Sequence, residues 1–80
     1  MKVDAEIDLH GYTVEDALIA AERFLNNAML TGYKVVRIIT GRGKIFKGVL
    51  EMVRTSYLVS RVVNDGMLGF LLVGRVEVEL

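Results

Sequence analysis

Lys34-Val35-Val36-Arg37-Ile38-Ile39-Thr40, running directly into Gly41-Arg42-Gly43, decides the fold of this chain. The strand-like part is β-branched and mostly apolar, the composition of an interior strand. Upstream, Thr13 is a good N-cap, and Asp16 three residues on makes a near capping box with Asp in place of Glu or Gln. Val14, Ala17, Leu18, Ala21, Phe24, Leu25, Ala28 and Met29 then recur at three- and four-residue spacings, the apolar stripe of a helix, with Gly32 as its C-terminal stop. Ahead of that helix, Ile7 to His10 alternates and reads as a first strand. A helix crossing between two strands makes them parallel, so a βαβ unit is complete by residue 40.

Downstream, Gly41-Arg42-Gly43 turns into a second helix. Its buried stripe is expected at Ile45 or Phe46, Val49, Leu50, Val53 and Tyr57, with Lys44, Lys47, Glu51 and Arg54 on or beside the outer face. Leu58 to Asn64 reads as a third strand, Asn64-Asp65-Gly66 as a turn, and the strictly alternating Arg75 to Leu80 as the last strand. The order is β-α-β-α-β-β, an α/β two-layer sandwich. Met67 to Val73 is too apolar for a loop, and Gly74 beyond it is a candidate bulge. No repeat, low-complexity stretch or linker interrupts the chain.

Eighty residues make one domain. Without cysteine there is neither a disulfide framework nor a thiolate metal site, and a cytoplasmic location is the default expectation. The acidic N-terminus lacks the apolar segment of a signal peptide, and no apolar run reaches the roughly 18 residues of a membrane span. Ten basic and ten acidic residues cancel, so net charge supplies no attraction to a polyanion. The distribution is uneven. Lys34, Arg37, Arg42, Lys44, Lys47, Arg54 and Arg61 crowd the middle of the chain against the single acid Glu51, while the first 32 residues are acidic. Charge alone leaves two readings open, a polyanion-facing surface or ordinary solvated faces.

The sole histidine lies in Ile7-Asp8-Leu9-His10-Gly11. Alternation along a strand sends Ile7 and Leu9 toward a core and sets Asp8 and His10 side by side on the other face. A carboxylate beside an imidazole suits proton transfer. Metal ligation would need further ligands that the sequence does not supply nearby. Thr40-Gly41-Arg42-Gly43 leaves a strand and opens a helix, so its amides and the helix dipole suit a phosphate oxyanion, with Arg42, Lys44 and Lys47 as cationic partners. It is neither a P-loop nor a dinucleotide fingerprint, because the Gly-Lys-Ser/Thr ending and the third glycine are missing. Both motifs end parallel strands, where open α/β sheets collect ligands. If those strands are neighbours, a scissile phosphate fits between imidazole and turn.

At these residues the chain resembles the Smr domain, the small MutS-related module found alone or at the C-terminus of MutS paralogues. The resemblance runs over residues 7–80, behind an N-terminal extension of residues 1–6. It rests on I-D-L-H-G (Ile7 to Gly11), T-V-E-D-A-L (Thr13 to Leu18), F-L-N-N-A-M-L-T-G (Phe24 to Gly32), V-R-I-I-T-G-R-G (Val36 to Gly43) and the terminal V-E-V-E-L. It implies a four-stranded mixed sheet with two helices on one face, similar to the C-terminal domain of translation initiation factor three. It also implies endonuclease activity, with the D-x-H motif carried onto Asp8 and His10 and the glycine motif onto Gly41, Arg42 and Gly43. Two departures stand out: Thr40 occupies a position often histidine in the family, and Phe70 to Gly74 replaces a glycine-rich approach to the last strand.

The expected function is cleavage or nicking of RNA or DNA. RNA carries its own nucleophile in the 2′-hydroxyl and requires no cofactor, whereas DNA nicking calls for Mg²⁺ or Mn²⁺ held partly by Asp8. The expected partners are RNA or branched or single-stranded DNA, and the rest of a larger MutS-like chain or the ribosome. A start and finish close to the domain edges favour excision from a longer protein. One alternative is a non-catalytic nucleic-acid-binding module docking through Arg42, Lys44 and Lys47. A weaker one is a protein interface formed by Phe70 to Val73.

Overall fold

The crossover read from the sequence joins two neighbouring parallel strands. The structure, a computed structural model, describes residues 2–68 and 71–80. It runs β1 (Ala5–Asp8), α1 (Val14–Thr31), β2 (Val35–Ile39), α2 (Lys44–Thr55), β3 (Arg61–Asn64), β4 (Met67–Leu68), β5 (Leu71–Leu72) and β6 (Arg75–Glu79). The main sheet has the order β1-β2-β6-β3, with β1 parallel to β2 and the other pairings antiparallel. The expected β-α-β-α-β-β order holds, with a small antiparallel hairpin β4–β5 inserted. No helix among the described residues is long and apolar enough to cross a membrane.

Strand register explains why both helices lie on one face. Val36 and Ile38 stand opposite Val78 and Val76, and all four side chains are fully buried. They join Ala17, Ala21, Leu25 and Ala28 of α1 and Phe46, Val49 and Val53 of α2 in one core cluster. α1 is stopped at both ends by local chemistry. The Thr13 hydroxyl accepts the Asp16 N–H at 3.1 Å, a cap worth about 1 kcal/mol, and the N–H groups of Gly32 and Tyr33 close on the carbonyls of Met29 and Ala28.

The opposite sheet face is polar. Arg37 reaches Glu6 at 3.2 Å and Glu77 at 2.9 Å, Glu77 also accepts from Asn64, and Arg61 faces Glu79 at 3.4 Å. Burial alone would push the Glu77 carboxyl up, but hydrogen bonds from Arg37 and Asn64 outweigh it and hold the group below its ordinary value.

Several boundaries differ from the sequence expectation. β1 begins at Ala5, so residues 5 and 6, assigned to an extension, are paired sheet; it ends at Asp8, leaving His10 in a turn. Met29, in the expected stripe, is 48% exposed on the last turn of α1. Tyr57 is 90% exposed because α2 stops at Thr55 and Ser56 turns extended; Leu58, expected in a strand, fills the buried place from a loop. The third strand therefore starts only at Arg61. The bulge falls between Val62 and Asn64 rather than at Gly74. Of the run Phe70 to Val73, Phe70 lies outside the described residues, Leu71 is exposed, and Leu72 and Val73 are half-buried.

The turn Asn64-Asp65-Gly66 forms as expected, fixed by the Gly66 N–H on the Asn64 side chain at 2.9 Å. Only glycine fits its end. Gly66 has φ +79°, and a Cβ there would run into the Phe46 ring and come within 2.6 Å of the Arg75 carbonyl oxygen.

Candidate functional site

Leu9 donates its N–H to the Ile39 carbonyl at 2.8 Å, the last link of the parallel ladder, and its side chain is fully buried. Beyond it the chain is folded over by Asp8. Its Oδ1 accepts the backbone N–H of His10 at 3.1 Å and meets the His10 imidazole Nδ1 at 2.6 Å. The pair is therefore made by an Asx turn past the strand end, and not by the two side chains standing side by side on one strand.

Both hydrogen bonds favour ionised Asp8. The one with the His10 ring, followed by that from the His10 backbone, holds the carboxyl below its ordinary 3.8. An ionised carboxylate can only accept, so Nδ1 carries the proton and the neutral ring presents a basic lone pair at Nε2. Nε2 has no protein partner among the described residues, and the His10 side chain is 75% exposed.

Thirty residues on, the glycine turn leaves β2 beside this pair because β1 and β2 are adjacent. One hollow of about 490 Å³ is bordered by His10 and Gly11 on one side and by Thr40, Gly41, Arg42, Gly43 and Lys44 on the other. Tyr12, Thr13, Val14 and Ile45 complete its wall. A larger hollow of about 670 Å³ lies elsewhere, lined by Arg54, Val62 to Asp65, Met67 and Glu77, and has no histidine near it. Asp8 stands behind His10 without bordering the site, and Lys47 lies exposed further along α2, outside it.

The residues of the turn divide their tasks. Thr40, grouped by sequence with the phosphate-binding residues, is 3% exposed; its hydroxyl donates to the Gly41 carbonyl at 2.6 Å and its N–H to the Gly74 carbonyl at 2.8 Å. Gly41 donates to the same Gly74 oxygen at 3.0 Å. These two amides are spent on the protein. Those of Arg42 and Gly43 have no acceptor among the described residues, and Gly43, at the N-cap of α2, offers no side-chain cap, so the first amides of the helix stay available to an anion.

Charge divides similarly. Of the cations crowded into the middle of the sequence, Arg37, Arg54 and Arg61 are ion-paired. Lys34, Arg42, Lys44 and Lys47 have no carboxylate partner within ion-pair distance among the described residues, and two of the four, Arg42 and Lys44, border the hollow. No group of three His, Cys, Asp or Glu side chains gathers among the described residues. No carboxylate among the described residues borders the hollow, so a hard cation there would rest on water and the substrate's own oxygens, with Asp8 behind His10.

Sequence reasoning missed Tyr12, Val14, Ile45 and Gly74. For Tyr12 a signal existed: an aromatic residue directly after the histidine–glycine pair and before a helix cap has no helical or strand face to occupy. Gly74 could not have been found locally, since its contact spans more than thirty residues.

The Smr domain family model matches residues 7–73 of the chain. Over 67 residues the sequence is 39% identical to Endonuclease MutS2 of Shouchella clausii, and over 60 residues 40% identical to Endonuclease MutS2 of Staphylococcus aureus. These alignments cover 81% and 72% of this chain but 8% of the length of either relative. Among solved structures, the Smr domain of Thermus thermophilus MutS2 superposes with a TM-score of 0.81 at 27% identity, covering 95% of this chain and 96% of that one.

Proposed function

The chain belongs to the Smr domain family, and from that premise we propose that it is a nucleic-acid endonuclease domain. Its target is a phosphodiester of RNA or DNA seated between His10 and the Gly41-Arg42-Gly43 turn. The observation that carries this reading is the convergence of a carboxylate-oriented imidazole and unspent amides on a single hollow. The relatives named Endonuclease MutS2 support it, and the partner it implies is the rest of a larger MutS-like chain.

RNA is the substrate these residues serve without help. His10 Nε2 removes the proton of the ribose 2′-hydroxyl as that oxygen bonds to phosphorus. A 2′,3′-cyclic phosphate forms, and the 5′-oxygen leaves with a proton from the imidazolium or from water. Asp8 fixes the tautomer, while Arg42, Lys44 and the free amides receive the charge gathering on the phosphoryl oxygens. General base catalysis contributes about 10²–10⁴ and one oxyanion donor about 10²–10³, together about 10⁴–10⁷, a range that brackets the roughly 10⁶ at which enzymes begin. Histidine alone falls short. DNA lacks the internal nucleophile, and its nicking would draw on water activated by Mg²⁺ or Mn²⁺ held chiefly by the phosphate.

A second reading, a non-catalytic nucleic-acid-binding module, is favoured by the unpaired Arg42, Lys44 and Lys47. Labelled RNA and DNA incubated with and without chelator separate the two. Cleavage of RNA in chelator is expected, falling at least about 10²-fold in His10→Ala while binding persists. Salt-sensitive binding with no cleavage selects the binding module, and full activity in His10→Ala removes the proposed chemistry.

A further inference from the structure

The lining of the hollow is of two kinds: the glycine turn, Arg42 and Lys44 supply polar and cationic groups, and Tyr12, Val14 and Ile45 supply aromatic and apolar ones. A bare phosphate needs only the first. The backbone of Tyr12 is tied into the turn that also holds His10, its N–H donating to the Leu9 carbonyl at 3.2 Å. The residue is nevertheless 48% exposed, and its hydroxyl has no partner among the described residues. An aromatic ring held on a fixed turn beside an anion site, and left half bare, is a surface on which a flat apolar group can lie.

Resting on the nucleic-acid reading above, we propose that the hollow takes a whole nucleotide whose base is unpaired. The base stacks on Tyr12 against Val14 and Ile45, and the phosphate sits at the Gly41-Arg42-Gly43 turn. The volume of about 490 Å³ is within the range of small-ligand pockets. A base inside a duplex has both faces covered by its neighbours and offers only its edges, so face-on contact with Tyr12 requires an unstacked nucleotide. The substrate class is therefore a single-stranded segment, loop or flap, and Tyr12 is a specificity residue rather than a participant in proton transfer.

The test uses the 80-residue chain and two single-stranded oligonucleotides of equal length, one normal and one with abasic sugars replacing its central nucleotides. Binding is read by anisotropy in wild-type, Tyr12→Ala and Tyr12→Phe, with folding checked by circular dichroism. Wild-type and Tyr12→Phe are expected to hold the normal strand about tenfold more tightly than the abasic one. In Tyr12→Ala that difference collapses while affinity for the abasic strand is unchanged. Equal binding of both strands by wild-type, or a Tyr12→Phe variant that behaves as Tyr12→Ala does, overturns the inference alone. Binding of neither strand overturns the nucleic-acid reading with it.

Discussion

Gly74 and Gly41 are joined across the sequence by a single carbonyl: the oxygen of Gly74 receives the Gly41 N–H at 3.0 Å while also receiving that of Thr40 at 2.8 Å. The approach to the last strand thus clamps the turn that borders the candidate site. A Cβ on Gly74 would meet only ordinary contacts with Gly41 and Arg42, at 3.5 and 3.6 Å, but its φ of +84° disfavours any side chain. Gly74→Ala should cost about 1–2 kcal/mol, roughly 5–10 °C in melting temperature, and lower cleavage by more than the lost folded fraction explains. A thermal melt paired with a rate measured well below the transition distinguishes the two effects; activity that simply tracks folded protein would mean the clamp does not shape the site.

Asp8 meets His10 through exposed groups, so the proposed function gives it an orienting role and the fold asks little of it. In Asp8→Asn the amide can no longer impose the same tautomer, and the rate on RNA should fall about 10²-fold or more while the urea midpoint at pH 7 barely moves. Single-turnover kinetics and urea unfolding on the same sample check this. A large loss of stability with unchanged kinetics would reverse the assignment.

Lys44 borders the hollow and Lys47 does not. Lys44→Gln should therefore weaken binding and reduce the salt slope by about 0.7 for a single-stranded ligand, whereas Lys47→Gln changes the slope less. Binding titrations at several salt concentrations give both slopes, and equal effects would place the strand along the outer face of α2.

Three carboxyls have folded values below their ordinary ones of 3.8, 3.8 and 4.5: Asp4 through the backbone N–H groups of Lys34 and Val35, Asp8 through His10, and Glu77 as described above. Each binds protons more weakly folded than unfolded. Their stabilising contribution is complete above about pH 4.5 and is lost as pH falls through the folded values. Urea midpoints should be level in this respect from pH 7 to about 5 and drop below that, with a shallower acid limb in Glu77→Gln. An acid limb identical to that of wild-type would show that Glu77 carries none of the loss.

Gly48 lies inside α2, where a Cβ would touch Leu18 at 3.4 Å and Val14 at 3.5 Å, ordinary van der Waals distances. Gly48→Ala should stabilise the protein by about 0.5–1 kcal/mol through helix propensity, visible as a higher urea midpoint. Destabilisation would mean that the two helices cannot yield even a few tenths of an ångström.

The sequence alone determined whatever depends on neighbours a few residues apart. Thr13 and Gly32 mark the ends of α1 because capping is local hydrogen bonding, and Val36, Ile38, Val76 and Val78 show their buried face because strand alternation has a period of two. The D-x-H and glycine motifs, and with them the family, were legible for the same reason.

Tertiary structure decided which of those residues are free to act. Thr40 is spent on Gly41 and Gly74, Arg37 is neutralised by Glu6 and Glu77, and Tyr12 joins Ile45 around the hollow. Except for the hydroxyl bond from Thr40 to Gly41, each of these contacts spans thirty or more residues and exists only once β1, β2 and β6 lie in register. No pattern along the chain encodes a hydrogen bond that sheet pairing alone brings within reach.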